Sequence, residues 1–268
     1  MTDQSRKSIA VVTGAAGDIG LAITGRLAAT HQIAAVDIDA EALERALASL
    51  AQNGIEAKGF SCDLTQPDNL AACAAEINRR GQVTTLVNNA GAAAALSLHE
   101  MTADMLTRDV ALNLEAALNC FKAFERTLID CGSGNVVNIV SVNGLATFGH
   151  PAYSAAKAGL VHATRAIAVE YGKYGLRANA VAPGTVRTQA WQARQVANPD
   201  VFAEALAWYP LKSLPEPDDI AAAVSFLVGP AARCITGICL PVDSGLTAGS
   251  PALPRTFTQS QDFGGIEP

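Results

Sequence analysis

Aromatic residues, paired cysteines, basic clusters and long apolar runs are all scarce in this chain of 268 residues. Only 5% of the residues are aromatic although 50% are hydrophobic, so the core must consist mainly of Ala, Val, Leu and Ile. Such a core suits buried parallel strands packed beneath helices of small residues. The length fits one large α/β domain, or at most two small ones.

The lack of basic clusters bears on the kind of partner. The formal net charge is -6 and no block of Lys or Arg occurs, which argues against a nucleic-acid surface or a membrane patch. A basic, polar segment at residues 1–9 lacks the apolar core of a secretion signal. The apolar run 220–232 is too short to cross a bilayer and is broken by Gly229 and Pro230. We therefore expect a small-molecule partner.

The six cysteines have neither C-x-x-C pairing nor the spacing of zinc ligands. We interpret them as reduced core thiols, which predicts a cytoplasmic location and no metal site.

Apolar runs and helical periodicity alternate along the chain, which is typical of a doubly wound parallel sheet with right-handed crossovers. The predicted strands are residues 9–13, 33–36, 56–62, 84–87, 135–140, 177–181 and 237–242. The predicted helices are residues 19–29, 40–53, 67–81, 102–131, 152–172 and 217–231. We predict an α/β, single-domain Rossmann fold with seven parallel strands and helices on both faces.

This domain is predicted to span residues 1–248 and to include a substrate lid at about 185–215. Residues 249–268 form a polar tail, which is either disordered or crosses onto a neighbouring subunit.

Ligands of open α/β sheets bind beyond the carboxyl ends of the strands. A glycine-rich turn, Thr13 to Gly20, follows the first predicted strand and opens a helix. Its glycines would let the backbone approach a pyrophosphate, and the helix N-terminus would offer free amides. Because strand, turn and helix occur in this order, the turn predicts a dinucleotide site.

Acidic and amide residues end the next three strands. Asp37 can accept hydrogen bonds from an adenosine ribose and would repel a 2′-phosphate, so the sequence favours NAD over NADP. Asp37 could also be a turn residue or a helix cap. Asp63 is either an adenine contact or a cap beside Thr65 and Pro67. Asn88, Asn89, Ala90 and Gly91 form a plain turn or border the cofactor crevice.

The segment Tyr153-Ser154-Ala155-Ala156-Lys157 carries the chemistry. On a helix, residues four apart share one face, so the Lys157 ammonium would lie beside the Tyr153 phenol. A free phenol titrates near ~10, and a neighbouring cation favours its ionised form. Tyr153 is therefore a candidate acid or base, although a buried ring beside a solvated amine gives the same pattern.

Together these motifs resemble the short-chain dehydrogenase/reductase family from Ile9 to about Gly245. The resemblance depends on the motifs already described and on Asn113, Ser141, Pro183 and Gly184, all in the family's order and spacing. It implies an NAD-dependent enzyme that moves a hydride between the nicotinamide and a carbinol carbon. It also implies a homotetramer or homodimer.

The resemblance implies the following roles. Tyr153 would be the acid or base, Ser141 would orient the substrate oxygen, and Lys157 would hold the nicotinamide ribose and lower the Tyr153 pKa. Asn113 would hold a proton-relaying water. The implied cofactor-binding residues are Gly14, Gly17, Asp18, Ile19, Gly20, Asp37, Asp63, Leu64, Asn89, Ala90, Gly91, Tyr153, Lys157, Pro183, Gly184, Val186 and Thr188.

Two positions depart from the family pattern. Asp18 stands where a second glycine of the turn is usual, and we expect it to turn away from the pyrophosphate and cap the helix that begins at Ile19. Asp243-Ser244-Gly245 replaces a segment that often has two glycines.

The substrate-binding residues are predicted to be Ser141, Asn143, His150, Tyr153 and Trp191. Polar Asn143 and His150 suggest a substrate with several hydroxyls, and the lid resembles bacterial sugar dehydrogenases of the family. We expect a sugar or polyol. Two alternatives remain: a 3-oxoacyl-carrier-protein reductase that uses NADPH, and a non-catalytic dinucleotide-sensing scaffold.

Overall fold

The structure is a computed structural model, and it describes residues 8–189, 196, 198–250 and 252–260. Seven strands form one sheet in the order β3-β2-β1-β4-β5-β6-β7, and every neighbouring pair is parallel. The strands are β1 Ile9–Thr13, β2 Gln32–Asp37, β3 Ala57–Ser61, β4 Val83–Asn88, β5 Asn135–Ile139, β6 Arg177–Pro183 and β7 Cys239–Val242.

Helices connect the strands on both faces of the sheet. They are α1 Asp18–Leu27, α2 Ala40–Gln52, α3 Pro67–Arg80, α4 Ala103–Val110, α5 Ala116–Asp130, α6 Pro151–Tyr171, α7 Val201–Leu206, α8 Pro217–Val228 and α9 Ala252–Thr258. The predicted Rossmann architecture is confirmed. Within the described part of the chain, no helix has the length and hydropathy that a bilayer span needs.

The two faces of the sheet bury separate cores because successive side chains of a strand point to opposite sides. Val11 of β1 packs with residues of α3 and α5, whereas Val12 packs with residues of α1 and α8. Both side chains are fully buried. This double coverage explains why the strands are continuously apolar rather than alternating.

The strand order reverses between β1 and β4, where the chain moves from one half of the sheet to the other. A crevice at such a point lies beyond the carboxyl ends of the strands, where ligands of this fold class bind. The predicted site residues after β1, β2, β4, β5 and β6 are thereby brought to one edge.

One predicted helix is divided. The stretch 102–131 forms α4 and α5 separated by a π-helical turn at Ala111–Glu115, which contains Asn113. The helical periodicity continues through the turn, so no local sequence pattern predicts it. A π-turn widens the helix locally and is frequent at functional sites.

The predicted tail also differs in part. Residues 252–258 form α9, on which Leu253 and Phe257 are exposed. The crossing of the tail onto a neighbouring subunit stays a prediction.

Candidate active site

The glycine-rich turn after β1 is fixed by close packing of backbone on backbone. Gly14 has a φ of +63°, and a Cβ there would lie 2.8 Å from the Ala90 Cα. A Cβ on Gly20 would lie 2.1 Å from the Gly14 carbonyl oxygen. No side chain can occupy either position without displacing the turn, so both glycines are required by the path of the chain.

Asn89 ties this turn to the end of β4. Its Nδ2 donates to the carbonyl oxygens of Thr13 and Gly14, each at 3.0 Å. In return, the Thr13 hydroxyl oxygen accepts the backbone N–H groups of Asn89 and Ala90 at 3.0 and 3.1 Å. The turn and the β4 end therefore form one hydrogen-bonded unit.

Asp37 and Asp63 both lie at the crevice. The Asp37 carboxylate accepts the N–H of Ala16 in the glycine-rich turn at 2.9 Å and that of Asp39 at 3.1 Å. One oxygen of Asp63 accepts both the N–H and the hydroxyl of Thr65. Since Gln66 is the N-cap of α3, Asp63 stabilises a local turn and does not cap that helix.

The expected cap by Asp18 is wrong. The helix α1 begins at Asp18 itself with Gly17 at the N-cap, and no side chain caps it. The Asp18 carboxylate instead accepts the backbone N–H of Gln189 at 2.7 Å. As the first helical residue, it still benefits from the helix dipole, while it connects the turn to the start of the lid.

Two adjoining cavities contain the predicted residues. The larger, about 1220 Å³, is lined by the predicted cofactor residues Gly14, Gly17, Asp18, Ile19, Gly20, Asp37, Asp63, Leu64, Asn89, Ala90, Gly91 and Thr188. The smaller, about 210 Å³, is lined by Ser141, Tyr153, Lys157, Pro183, Gly184, Val186 and Thr188. Ile19, Asn89, Gly91 and Thr188 line both cavities. The two predicted sets therefore meet in one crevice.

The predicted catalytic residues Ser141, Tyr153 and Lys157 come from two parts of the fold. Ser141 follows β5 and lines the smaller cavity together with Tyr153 on α6. The Ser141 hydroxyl accepts the backbone N–H of Asn143 at 3.2 Å and donates to Asn143 Oδ1 at 3.3 Å. Lys157 lies one turn further along α6, with its Nζ 5.6 Å from the centre of the Tyr153 ring. The predicted helical pairing of the phenol and the ammonium is present.

Lys157 is 2% exposed, and its Nζ donates to the Ile139 carbonyl at 2.9 Å. Burial lowers the pKa of Lys157 from 10.5 to about 8.

The expected lowering of the Tyr153 pKa is not what these surroundings produce. Burial raises the pKa of Tyr153, its hydrogen bond with Ser141 lowers it, and the charge of Asp109 raises it further. Desolvation is the largest of these effects.

Asn113 is 1% exposed at the π-helical turn and faces the same region. Its Nδ2 donates to the carbonyl oxygens of Ala92 at 2.7 Å and Asp109 at 2.9 Å. Its Oδ1 is buried with no partner among the described residues. A Cβ on Gly91 would lie 2.7 Å from this oxygen and 3.2 Å from the Lys157 Nζ, so both atoms border the space beside Gly91.

The predicted substrate residues Asn143 and His150 are engaged by neighbouring loops. Asn143 Nδ2 donates to the Gly149 carbonyl and to Ser154 Oγ. The His150 Nδ1 lies 3.0 Å from the Ala95 carbonyl oxygen, and His150 has a left-handed φ of 52°. Trp191 lies outside the described residues.

The structural roles of three residues were not predicted from the sequence. Asp109 is buried at 3% exposure, one helical turn before Asn113, and that i, i+4 spacing was the available signal. Arg45 of α2 lines the larger cavity and pairs with Glu41. Buried Asp243 accepts the N–H groups of Gly245 and Thr247, and this turn holds Ser244 at a φ of 50°.

A nicotinamide dinucleotide fits these residues. The close-packed glycines leave backbone amides free of side chains, and the partnerless Asn113 Oδ1 supplies an acceptor beside the buried Lys157 ammonium. Fold and site together define an oxidoreductase of the doubly wound α/β class.

A family model described as enoyl-(acyl carrier protein) reductase matches residues 14–247. The chain belongs to the short-chain dehydrogenase/reductase family. Members of this family use nicotinamide dinucleotides, and the protein is an oxidoreductase that acts on hydroxyl or carbonyl groups.

Characterised relatives agree with this assignment. The chain is 37% identical to 2-(S)-hydroxypropyl-CoM dehydrogenase 3 of Xanthobacter autotrophicus, over 92% of this chain and 100% of that protein. It is 36% identical to a galactitol 2-dehydrogenase (L-tagatose-forming) of Cereibacter sphaeroides, over 89% and 94%. A crystal structure of a short-chain oxidoreductase from Burkholderia thailandensis is 40% identical, with a TM-score of 0.86 over 96% of this chain and 99% of that one.

Proposed function

We propose that this protein is an NAD-dependent dehydrogenase that oxidises a carbinol carbon of a small sugar or polyol. The observation that carries the proposal is the meeting of Ser141, Tyr153 and Lys157 in a cavity that adjoins the glycine-rich turn. Residues that can move a proton thus lie beside residues that can hold a dinucleotide.

In the proposed reaction, the Tyr153 phenolate removes the substrate hydroxyl proton while the carbinol hydride leaves. A bound nicotinamide would supply the acceptor for that hydride. Ser141 holds the substrate oxygen, since its hydroxyl can both donate and accept. The Lys157 ammonium favours the ionised phenol and holds the nicotinamide ribose. In the reverse direction, the Tyr153 phenol donates the proton.

Asn113 is proposed to hold a water molecule through its partnerless Oδ1. This water would pass protons between Lys157 and solvent.

The preference for NAD depends on Asp37. Its carboxylate is fixed by the N–H groups of Ala16 and Asp39, so a 2′-phosphate near it would meet a negative charge that cannot turn away. Arg45 is the cation on the same cavity wall, and it is largely exposed and paired with Glu41. An exposed, paired cation offsets this repulsion only weakly.

The sugar or polyol substrate is supported by the identity to the galactitol dehydrogenase. The loop contacts of Asn143 and His150 change the proposed role of these residues. We propose that they shape the wall beside Ser141 and Tyr153, and that the substrate hydroxyls are bound mainly by Ser141 and Tyr153.

A 3-oxoacyl-carrier-protein reductase is the second candidate, favoured by the description of the matching family model. The net charge of -6 opposes it, because an acidic carrier protein would be repelled.

The test is a panel of polyols, aldoses and cyclic secondary alcohols with NAD⁺ and with NADP⁺, followed by a 3-oxoacyl thioester with NADH and NADPH. The proposal predicts NADH formation from at least one polyol or aldose, with NAD⁺ preferred. Activity only on the thioester with NADPH would support the second candidate and contradict the first.

A further inference from the structure

Asp109 is a buried acid beside the active site that the proposed mechanism does not use. It is 3% exposed at the end of α4, and its Oδ2 has no hydrogen-bond partner among the described residues. An unpaired carboxylate oxygen in the interior is costly, so its presence in a native protein calls for an explanation. The other oxygen, Oδ1, accepts the backbone N–H of Ala94 at 2.9 Å.

Ala94 belongs to a loop after β4, here called the substrate loop and defined as residues 92–96. This loop is held from two sides: by α4 with the following π-helical turn, and by the N-terminus of α6. Asn113 donates to the Ala92 carbonyl and Asp109 accepts from Ala94, both from the α4 side. His150, at the N-cap of α6, lies within hydrogen-bond distance of the Ala95 carbonyl, and its own N–H donates to the Leu96 carbonyl.

The α6 contact has a conformational cost. His150 has a left-handed φ of 52° directly before Pro151, where an extended backbone is favoured. Three residues later the same helix carries Tyr153. The substrate loop therefore connects Asp109 to the backbone that places the catalytic phenol.

Asp109 also acts on Tyr153 through space. The helix α4, which carries Asp109, packs against α6, which carries Tyr153. On the α6 side, the Lys157 Nζ lies 5.6 Å from the centre of the Tyr153 ring, and the ring of His150 lies edge-on to it at 6.4 Å. The Asp109 charge raises the pKa of Tyr153 because a negative neighbour opposes formation of the phenolate. This effect opposes the role proposed for Lys157.

We propose that Asp109 is a positioning residue of this active site, which fixes the substrate loop through Ala94 and acts on Tyr153 through its negative charge. The inference rests on the proposed acid–base role of Tyr153. Its test, however, needs neither substrate nor cofactor, so it can fail or succeed independently of the proposed function.

The test is a tyrosinate absorbance titration of the purified protein, in which the curve of a Tyr153→Phe variant is subtracted to isolate Tyr153. Asp109→Asn keeps an oxygen that can accept from Ala94 but removes the charge. We expect the Tyr153 midpoint to fall by on the order of one pH unit. The matched control is Asp104→Asn, an exposed acid in the first turn of the same helix, which should leave the midpoint unchanged.

Every outcome decides the matter. If wild-type Tyr153 does not ionise before the protein unfolds, Asp109→Asn must bring its ionisation into the folded range. The proposed effect of the Asp109 charge on Tyr153 would be overturned if the Tyr153 midpoint were the same in Asp109→Asn as in the wild type. It would also be overturned if Tyr153 ionised in neither folded protein.

The claim that Asp109 fixes the substrate loop is tested by hydrogen exchange at the Ala94 amide. Exchange should be faster in Asp109→Ala, which lacks an acceptor, and near wild type in Asp109→Asn. Equal protection in wild type and Asp109→Ala would overturn it.

Discussion

The cofactor half and the catalytic half of the crevice differ in how their polar groups are satisfied. In the cofactor half, Thr13, Asp37 and Asn89 each make two or more hydrogen bonds to backbone groups. In the catalytic half, Asn113 Oδ1 and Asp109 Oδ2 are buried without described partners, and burial shifts the pKa values of Tyr153 and Lys157. The first half is a hydrogen-bonded frame, whereas the second contains buried polar atoms that have no partner among the described residues.

This difference predicts that mutations in the two halves separate binding from chemistry. Changes in the frame should weaken dinucleotide binding, and changes in the catalytic half should reduce turnover with little effect on binding.

The largest expected effect among the following variants is that of Ser141→Ala. Removing the hydroxyl that holds the reacting oxygen should reduce kcat by about 10²-fold to 10³-fold, in the range seen for other groups that stabilise a developing charge. NADH affinity, measured by fluorescence titration, should change less than about threefold. Ser133→Ala is the control, since Ser133 is exposed before β5. Equal losses of kcat and of NADH affinity in Ser141→Ala would contradict the prediction that the two halves separate binding from chemistry.

The variant Gly20→Ala should displace the glycine-rich turn of the cofactor half. Its Cβ would lie 2.1 Å from the Gly14 oxygen, so the turn must shift, and we expect NADH to bind about 10-fold to 100-fold more weakly. Gly172→Ala is the control, because a Cβ there would meet nothing within 4 Å, its φ is -56° and it lines neither cavity. Similar affinities in the two variants would show that close packing at Gly20 does not matter for binding.

The variant Asp37→Asn tests the proposed preference for NAD over NADP. The amide oxygen can still accept a backbone N–H, but the charge that repels a 2′-phosphate is gone. The ratio of kcat/KM for NADP⁺ to that for NAD⁺ should rise roughly tenfold. Asp68→Asn in the first turn of α3 removes a carboxylate from another part of the surface and should leave the ratio unchanged. A constant ratio in Asp37→Asn would contradict the assignment.

A further prediction concerns the stability of the catalytic half rather than its activity. The folded pKa of Lys157 lies below its unfolded value, so between about pH 8 and its ordinary pKa the unfolded chain binds more protons. Stability contributed by this residue therefore rises with pH in that window. Relative to Lys157→Met, the wild-type free energy of unfolding should rise by about 2 kcal/mol between about pH 8 and about pH 10.

Urea denaturation at several pH values measures this difference. A flat difference across the window would mean that Lys157 is better solvated than its burial indicates.

The same two halves show what sequence can predict. The frame was largely predictable, because Gly14, Gly20, Asp37 and Asn89 follow strands whose apolar runs are plain, and strand order brings their ends together. The pairing of Tyr153 with Lys157 followed from helical spacing alone.

The remaining features depend on tertiary contacts that no local pattern encodes. Asp18 contacts Gln189, which is distant in sequence, so its local helix-start signal was misleading. The π-helical turn at Ala111–Glu115 has the same apolar periodicity as an α-helix. The raised pKa of Tyr153 follows first from burial, which sequence spacing does not reveal.

The most direct test of the central claim is the Tyr153→Phe variant, measured in parallel for NADH binding and for NADH formation with the best alcohol of the substrate panel. Phenylalanine retains the ring but has no proton to exchange. We expect a loss of kcat of at least about 100-fold with NADH affinity nearly unchanged. Turnover close to that of the wild type would show that Tyr153 is not the acid or base of this enzyme.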